Sequence, residues 1–406
     1  MRTELSAMFL TLVVVAVFTA CGSDDGSEQK VKDTTCLDDV GVDGESGDLV
    51  SNGDADTAGQ DLAREVVGPV ESALAAPAGV TVVDGKVFVV NSNGAWNNEL
   101  FTMEYGPGTM TVLDADTLER VGHVDLGCTN PQYLAGHEGK LLVVCSGTVV
   151  SDENWVMTPA TAGKLVQVDA TTLKVEASVE LPNGQPKPMA GFPGSVCVSA
   201  EAGRVFVGSG TGPYLYIADL ANIEEGLLTQ ELYSLEGGND SVTVECSGGK
   251  VYAASFNTGS LFVVDGSDLT SSEPVQVTQT QELEGPVDML FDSGKLYVLN
   301  TISSQVAILD TLSLQVTFPV VTGAAPNRLG ILDKTLFVVN STDNNLTKFD
   351  VTTGQTTTPF GAMDVGTNPW EIAIAGNYGY ITGYVANTVI KMDMGTGEIA
   401  VQVGNQ

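Results

Sequence analysis

Basic residues and histidine are scarce in this chain of 406 residues. It contains 17 Lys and Arg against 51 Asp and Glu, which gives a formal net charge of −34, and it has two histidines. Such a charge repels phosphate backbones, so the composition argues against a nucleic-acid partner. Two histidines are too few for the His-rich copper and zinc centres of some enzymes. We therefore expect no nucleic acid among the partners, no metal centre and no cofactor.

The apolar run near the N-terminus is too short to be a transmembrane helix. It extends over twelve residues from Ala7 to Phe18, whereas a helix needs about 20 residues to span a bilayer. It fits the hydrophobic region of a secretory signal peptide. Thr19-Ala20-Cys21 follows and resembles the lipobox of bacterial lipoproteins, whose cysteine is lipidated and becomes the new N-terminus.

Residues 1–20 are therefore predicted to be a lipoprotein signal peptide, and Cys21 the lipidation site through which the chain meets a membrane. Residue 22 is Gly rather than Asp, which by the sorting rules of lipoproteins mildly favours the outer membrane. We expect the cell envelope of a Gram-negative bacterium. An ordinary secretory peptide followed by a chance cysteine is the alternative.

Large apolar residues are few between residues 21 and 65. From residue 22 onward this segment holds 13 Asp and Glu and three Lys and Arg. A stretch of this kind cannot bury enough apolar surface to fold alone. We expect residues 21–65 to be a flexible acidic tether and residues 66–406 to be the folded body.

A repeated unit organises the chain after the tether. An alternating apolar run that closes on an aspartate recurs seven times at spacings of 40 to 55 residues, and a second strand-like run, often opening with Gly-Lys, precedes each one. The alternation, the β-branched residues and the regular turns indicate about four short strands per unit, named a to d in chain order. The pattern predicts an all-β, seven-bladed β-propeller of four-stranded blades. The closing aspartates are Asp114, Asp169, Asp219, Asp265, Asp310, Asp350 and Asp393.

The pattern Pro-x-x-Leu, Gly-Lys-Leu-Tyr-Val-x-Asn and Val-x-x-Leu-Asp resembles the YVTN-type repeat of YncE-like β-propellers. The fifth unit, from Pro286, and the sixth, from Pro326, match it best, and the resemblance covers roughly residues 77–404. It implies a propeller that is often extracytoplasmic, which agrees with the signal peptide. It implies no particular function, because these propellers serve many roles.

The repeated Asp and Asn residues are predicted to have structural roles. An Asp that opens the turn between strands c and d can accept a hydrogen bond from the backbone two residues on. Asn91, Asn300 and Asn340 end strand b and are expected to set the turn between b and c. A ring of metal ligands is the less favoured interpretation of the seven aspartates.

Five cysteines remain after lipidation, and export favours disulfides. Cys128 and Cys145 fall roughly opposite each other in an antiparallel hairpin, so we predict a disulfide between them. Cys197 and Cys246 lie on the a strands of neighbouring blades, where a second disulfide can form.

Two insertions enlarge one face of the predicted propeller. Residues 91–108 and 146–160 separate strands b and c in the first and second units, and Trp370 of the seventh unit lies on the same side. Surface aromatics among polar groups suit the recognition of a sugar, a peptide or a protein. The predicted binding residues are Trp96, Glu99, Phe101, Tyr105, Trp155, Arg328 and Trp370.

Two alternatives stay open for these residues. The tryptophans can serve only to anchor long loops on the blades. Arg328, one of the few basic residues, can bind an anion or pair with a neighbouring acid.

The sequence favours a monomeric, lipid-anchored binding or scaffold module for a protein, peptide or glycan, because it offers no convincing catalytic group. The alternative is a propeller enzyme of the lactonase or hydrolase type, in which Asp288, Asn327, Glu371 and Asp240 hold a central divalent cation. Closure of the ring is also open, since the last blade can use its own final strand or a strand from residues 66–75.

Overall fold

The computed structural model describes residues 74–97, 102–151, 157–159, 161–181, 193–210, 212–225, 227–233, 240–269, 274–277, 283–364 and 366–404. The predicted signal peptide, Cys21 and the predicted tether lie outside these ranges and stay predictions. Within the ranges the chain forms strands, turns and irregular connections. No helix among the described residues is long and apolar enough to cross a membrane.

Seven four-stranded antiparallel sheets follow one another along the chain, in agreement with the predicted seven-bladed propeller. Blade 1 runs β1 (Pro77–Val83), β2 (Lys86–Asn91), the inserted hairpin β3 (Gly94–Asn97) and β4 (Thr102–Tyr105), β5 (Pro107–Asp114) and β6 (Arg120–Thr129). Blade 2 runs β7 (Pro131–His137), β8 (Lys140–Cys145), the inserted hairpin β9 (Val149–Ser151) and β10 (Met157–Pro159), β11 (Lys164–Asp169) and β12 (Lys174–Glu180). Blade 3 runs β13 (Pro193–Ser199), β14 (Arg204–Ser209), β15 (Tyr214–Asp219) and β16 (Leu228–Glu231).

The other four blades have no inserted strands among their described residues. Blade 4 runs β17 (Val242–Ser247), β18 (Lys250–Ser255), β19 (Leu261–Asp265) and β20 (Val275–Gln276). Blade 5 runs β21 (Pro286–Asp292), β22 (Lys295–Asn300), β23 (Gln305–Asp310) and β24 (Val316–Val321). Blade 6 runs β25 (Pro326–Leu332), β26 (Thr335–Asn340), β27 (Asn345–Asp350) and β28 (Thr356–Phe360). Blade 7 runs β29 (Pro369–Ala375), β30 (Tyr378–Gly383), β31 (Thr388–Asp393) and β32 (Ile399–Gly404).

The seven blades form a closed ring around a central channel. The first strand of each blade is the innermost, and each inner strand contacts that of the next blade, with β29 returning to β1. Blade 7 is completed by its own strand β32. Of the two closures left open by the sequence, the structure therefore has the one in which the last blade uses its own final strand.

The hydrophobic core lies between neighbouring blades. Strand b is buried along nearly its whole length, as in β2, which explains its almost continuous apolar sequence. Strand d is the outer edge, and most residues of β12 are exposed. Side chains of adjacent sheets interdigitate, and Val89 of blade 1 packs in one cluster with Tyr380 and Val389 of blade 7.

The seven repeated aspartates have the structural role predicted for them. Asp310 Oδ1 accepts hydrogen bonds from the backbone nitrogens of Leu312 at 3.1 Å and Ser313 at 2.8 Å. These bonds hold the pKa of Asp310 below its usual value. The same turn recurs at Asp114, Asp169, Asp219, Asp265, Asp350 and Asp393.

The Asn residues that end strand b do more than the predicted role in the turn between b and c. Asn340 Oδ1 accepts a hydrogen bond from Gly323 N at 3.0 Å, and Asn300 Oδ1 accepts one from Glu284 N at 3.2 Å. Gly323 and Glu284 belong to the connections that lead into strand a of the same blade. These buried amides therefore fix the entry of the inner strand, and Asn340 also donates to Asn345 Oδ1 across the turn between b and c, at 2.8 Å.

Two disulfides link neighbouring blades in pairs. Cys128 at the end of β6 is bonded to Cys145 at the end of β8, which joins blades 1 and 2. Cys197 in β13 is bonded to Cys246 in β17, which joins blades 3 and 4.

Candidate functional site

One level of the inner strands brings seven residues of different chemistry together around the channel. In six blades a β-bulge interrupts the start of the inner strand, whereas β17 in blade 4 pairs without interruption. We use the name channel ring for the residue of each inner strand that lies opposite the penultimate residue of strand b. The channel ring consists of Tyr133, Ser195, Thr243, Asp288 and Arg328, which meet this definition directly, and of Gly79 and Glu371, which directly precede the first regular pair after the bulge in β1 and β29.

Arg328 supplies the single basic side chain of this ring. Its Nε donates to Glu371 Oε2 at 2.6 Å, and its Nη1 donates to the carbonyl oxygen of Asn327 at 2.8 Å. Its Cζ lies 5.0 Å from the ring centre of Tyr133, and because Tyr133 belongs to blade 2, the guanidinium of blade 6 crosses the channel. Arg328 thus pairs with a neighbouring acid, which is one of the two outcomes that the sequence left open.

The guanidinium is not fully satisfied by these contacts. Arg328 is 7% exposed, and its buried Nη2 has no hydrogen-bond partner within the described part of the chain. Burial works against the positive charge, but Glu371, Tyr133 and Asp288 outweigh burial and raise the pKa of Arg328. Arg328 therefore carries a permanent positive charge with a donor that lacks an acceptor.

Two further carboxyl groups line the same channel cavity, and neither forms an ion pair with a basic side chain of the described residues. Asp288 Oδ2 accepts a hydrogen bond from Leu329 N at 2.8 Å, and Glu245 Oε1 accepts one from Phe291 N at 3.1 Å, so each ties its blade to the next. Burial raises the pKa of Asp288 to about 7, although Arg328 opposes the shift, and it raises the pKa of Glu245 to about 8. Both groups therefore change protonation near neutral pH.

These side chains line a cavity of about 380 Å³ in the channel. Apolar side chains such as Val80, Leu134, Val196 and Met289 make up much of its lining. Its polar side chains are those of Thr81, Tyr133, Ser195, Glu245, Asp288, Arg328 and Glu371. A concave site with a few convergent polar groups and perturbed pKa values is the usual form of a small-molecule site.

Asp240 does not belong to this cavity, which corrects its assignment to the channel mouth. Its Oδ2 accepts hydrogen bonds from Ser255 Oγ, at 2.7 Å, and from the hydroxyl of Tyr233. Its Oδ1 accepts from the backbone nitrogens of Ser241 and Asn257. Asp240 lies in the connection before β17 and bonds to Ser255, the residue that ends strand b of this blade, so its role is structural.

The aromatic residues of the predicted binding face meet where blades 7 and 1 join. The Trp370 and Tyr384 rings lie 5.2 Å apart between centres. A Cβ placed on Gly94 of the hairpin β3–β4 would lie 2.9 Å from the Tyr384 hydroxyl and 3.0 Å from Tyr105 Cε1, so the hairpin backbone passes close to both tyrosines. Burial and the neighbouring Tyr384 raise the pKa of Tyr105.

The other predicted binding residues lie outside what the structure describes. Glu99, Phe101 and Trp155 fall in gaps of the described ranges, and Trp96 lies in β3 but its side chain is not described. Of the seven predicted residues, Trp370 and Tyr105 are thus brought together, while Arg328 lies apart from them in the channel. Their role in binding a partner stays a prediction.

Sequence reasoning missed three residues that complete these sites. These are Tyr133, Tyr384 and Glu245, none of which is among the predicted site residues. For Glu245 a signal was present, because inward and outward side chains alternate along β17 and place Glu245 on the same side as Thr243. The approach of Tyr384 to blade 1 has no local signal, since it depends on closure of the ring.

Comparison with known proteins supports the fold alone. No protein-family model and no curated protein matches the chain. Virginiamycin B lyase from Staphylococcus aureus is similar in structure, with a TM-score of 0.55, 13% identity and coverage of 76% of this chain and 92% of that one. The computationally designed Ika8 protein gives a TM-score of 0.53 at 14% identity, covering 83% of this chain and 89% of that one. The dihydro-heme d1 dehydrogenase NirN gives 0.51 at 14% identity, covering 79% and 63%. The chain is thus similar in structure to a lyase, a designed protein and a dehydrogenase.

Proposed function

We propose that the chain is a lipid-anchored, extracytoplasmic β-propeller that binds a protein, peptide or glycan partner on the face bearing its two inserted hairpins. The observation that carries this proposal is the position of β3–β4 and β9–β10. Both hairpins connect strand b to strand c, so they rise from the same face, and they belong to adjacent blades. They are additions that the propeller does not need in order to close.

The contacts between the hairpin β3–β4 and blade 7 support a binding role. Gly94 passes close to Tyr105 and Tyr384, and Ser92 Oγ lies 3.2 Å from the Tyr384 hydroxyl. Tyr384 of blade 7 therefore packs against the segment of blade 1 that leads into the hairpin. A loop held in this way loses little conformational entropy on binding, which raises affinity. Trp96, Glu99, Phe101 and Trp155 are the side chains that we propose for contact with the partner.

A paired comparison of variants tests the partner-binding face. Recovery of crosslinked partners from envelope extracts is measured for the native chain, for a Trp96→Ala/Trp155→Ala double variant and for Leu312→Ala. Leu312 is 94% exposed in a turn between strands c and d, on the opposite face, so its replacement is a matched control. We expect the double variant to lose specific partners and Leu312→Ala to keep them. Equal recovery by all three proteins would overturn the proposal.

The anchor and the location are proposed from the N-terminal sequence. Lipidation of Cys21 supplies several acyl chains, which hold a protein on a membrane stably, whereas one chain binds marginally. The tether at residues 21–65 would then hold the propeller, as a monomer, at the outer membrane. Replacement of Cys21 by Ala should move the protein to the soluble fraction, and retention in the membrane fraction would contradict the anchor.

Membership of the YVTN-type, YncE-like propellers is also a proposal. It is supported by the repeat sequence, in which Gly294-Lys-Leu-Tyr-Val-Leu-Asn300 forms strand b of blade 5 and the run ending at Asp310 forms strand c. Membership would imply a location outside the cytoplasm, which agrees with the proposed anchor.

A hydrolase of the lactonase type is the second candidate, because Asp288 and Glu371 lie on one level of the channel. The arrangement does not fit a divalent cation well. Glu371 is engaged by the positive charge of Arg328, and among the described residues no group of three His, Cys, Asp or Glu side chains is placed to hold a metal ion. Metal analysis of the purified protein decides between the two, since a stoichiometric divalent cation would favour the enzyme.

A further inference from the structure

The channel cavity has more carboxyl groups than basic groups among its described lining residues. Glu371, Asp288 and Glu245 contribute three carboxyl groups, and Arg328 contributes the single guanidinium. Glu371 takes the closest contact with Arg328, at 2.6 Å. Two carboxyl groups are thus left without a cation of their own, while Arg328 Nη2 is left without an acceptor.

Unmatched buried groups of this kind are costly to a fold. A buried donor without an acceptor lowers stability, and an unpaired buried ion lowers it more. A ligand that brings a negative group to Arg328 and a positive group to the two carboxyls would remove both penalties together.

We propose that the channel cavity binds a small zwitterion of the α-amino acid type, with its carboxylate on Arg328 Nη2 and its ammonium group between Asp288 and Glu245. The bonds from Leu329 N and Phe291 N leave acceptor capacity on these carboxyls, since each has two oxygens with two lone pairs. The three functional groups come from blades 4, 5 and 6, which are consecutive.

The size and lining of the cavity define the rest of the ligand. A volume of about 380 Å³ is at the small end of the range for ligand pockets, roughly 300–1,000 Å³. The apolar side chains of Val80, Leu134 and Met289 favour an aliphatic or aromatic side chain on the ligand. The raised pKa values of Asp288 and Glu245 agree with this assignment, because an ammonium group would supply the missing positive charge and lower both.

Calorimetric titration of the full chain with three matched ligands tests the proposal. Leucine carries both charges, 4-methylpentanoate keeps the carboxylate alone and 3-methylbutylamine keeps the ammonium group alone. Each charge-assisted hydrogen bond contributes about 1.5–3 kcal/mol, so leucine should bind at least about tenfold more tightly than either analogue. Equal affinity for leucine and 4-methylpentanoate, or no binding of leucine, phenylalanine and glycine, would overturn the proposal.

Variants assign the two halves of the site. Asp288→Asn with Glu245→Gln keeps the shapes and should abolish the preference for leucine over 4-methylpentanoate. A charge-balanced Arg328→Met/Glu371→Gln variant should abolish the preference for leucine over 3-methylbutylamine, with circular dichroism confirming the fold. Persistence of both preferences would contradict the assignment. The Trp96→Ala/Trp155→Ala variant should bind leucine as the native chain does, so this test and that of the partner-binding face fail independently.

Discussion

The hydroxyl of Tyr380 in blade 7 donates a hydrogen bond of 2.8 Å to the carbonyl oxygen of Ala115 in blade 1. Three other side chains of blade 7 reach the blade 1 backbone. Thr382 Oγ1 donates to a carbonyl of β1 at 2.8 Å, Asn387 Oδ1 accepts from Ala76 N at 2.6 Å, and Lys391 Nζ donates to the carbonyl oxygen of Asp116 at 3.2 Å. Closure of the ring therefore relies on side chains that bond to backbone, in addition to packing, and does not exchange a strand between the described chain ends.

Replacement of Tyr380 by Phe should weaken this closure with little change in packing. Phe88, Phe206 and Phe337 occupy the equivalent position in other blades, so a phenyl ring fits there. Loss of the hydrogen bond should cost about 1 kcal/mol and lower the melting temperature by about 2 °C.

Tyr297→Phe is the matched control, because Tyr297 holds the same position in blade 5 without an interblade hydrogen bond among the described contacts. Differential scanning calorimetry compares the two variants. Equal effects of Tyr380→Phe and Tyr297→Phe would show that the bond to Ala115 does not contribute to closure.

The disulfides should stabilise the propeller to different degrees. Cys128–Cys145 closes a separation of 17 residues and Cys197–Cys246 one of 49. The chain-entropy model gives about 3 kcal/mol for the first and about 4 kcal/mol for the second. Double Ala variants of each pair, compared by denaturant unfolding, should therefore rank with the second pair as the more damaging loss. The opposite ranking would mean that differences in packing around the two disulfides affect stability more than the entropy of the unfolded chain does.

The sequence repeat made the fold predictable. Blade 4 shows why even an irregular repeat can be recognised as a blade. β17 lacks the opening proline and the bulge, and strand b ends at Ser255, which bonds to Asp240, where blades 1, 5 and 6 have an Asn. The alternating run that ends at Asp265 still marks the blade, because the turn after strand c needs that aspartate. Periodicity therefore fixes the number of blades even where one blade changes its details.

The candidate sites were less predictable because they depend on contacts between distant blades. Arg328 and Tyr133 are in blades 6 and 2, and only the dimensions of the channel decide that one guanidinium reaches the other side. Trp370 was expected at the surface, yet it packs beside Tyr384 against the core of blades 1 and 2. The alternation of apolar and polar residues along a strand predicts neither the distance across the channel nor how deeply a side chain at a strand end is buried.

The channel carboxyls should make the propeller less stable as the pH rises toward 8. Glu245 has a pKa of about 8 in the folded chain against a usual value of 4.5, and Asp288 one of about 7 against 3.8. The folded state therefore binds more protons than the unfolded state between these values, and its free energy of unfolding falls as the pH rises. We expect a lower melting temperature at pH 8 than at pH 5.5, and Glu245→Gln should reduce the difference.

The repeated aspartates should make the propeller less stable as the pH falls below about 4. Their hydrogen bonds lower the pKa values of Asp114, Asp169, Asp310, Asp350 and Asp393. The unfolded state then binds more protons below about pH 4, so stability falls again as the pH decreases. Melting temperatures measured from pH 2.5 to pH 8.5 should pass through a maximum, and a profile that only rises with pH would contradict the raised pKa values in the channel.

Gly208 should be the glycine that tolerates alanine least at the joint between blades 3 and 4. A Cβ at Gly208 in β14 would lie 2.0 Å from the carbonyl oxygen of Val242 in β17, and backbone at such a distance must shift. Crowding of this kind costs about 1–3 kcal/mol. Gly136→Ala is the control, because the nearest atom to its Cβ would be Val83 Cγ2 at 3.4 Å, an ordinary contact. Thermal unfolding should show a marked loss for Gly208→Ala and almost none for Gly136→Ala, whereas equal melting temperatures would mean that the two blades separate there more easily than this packing implies.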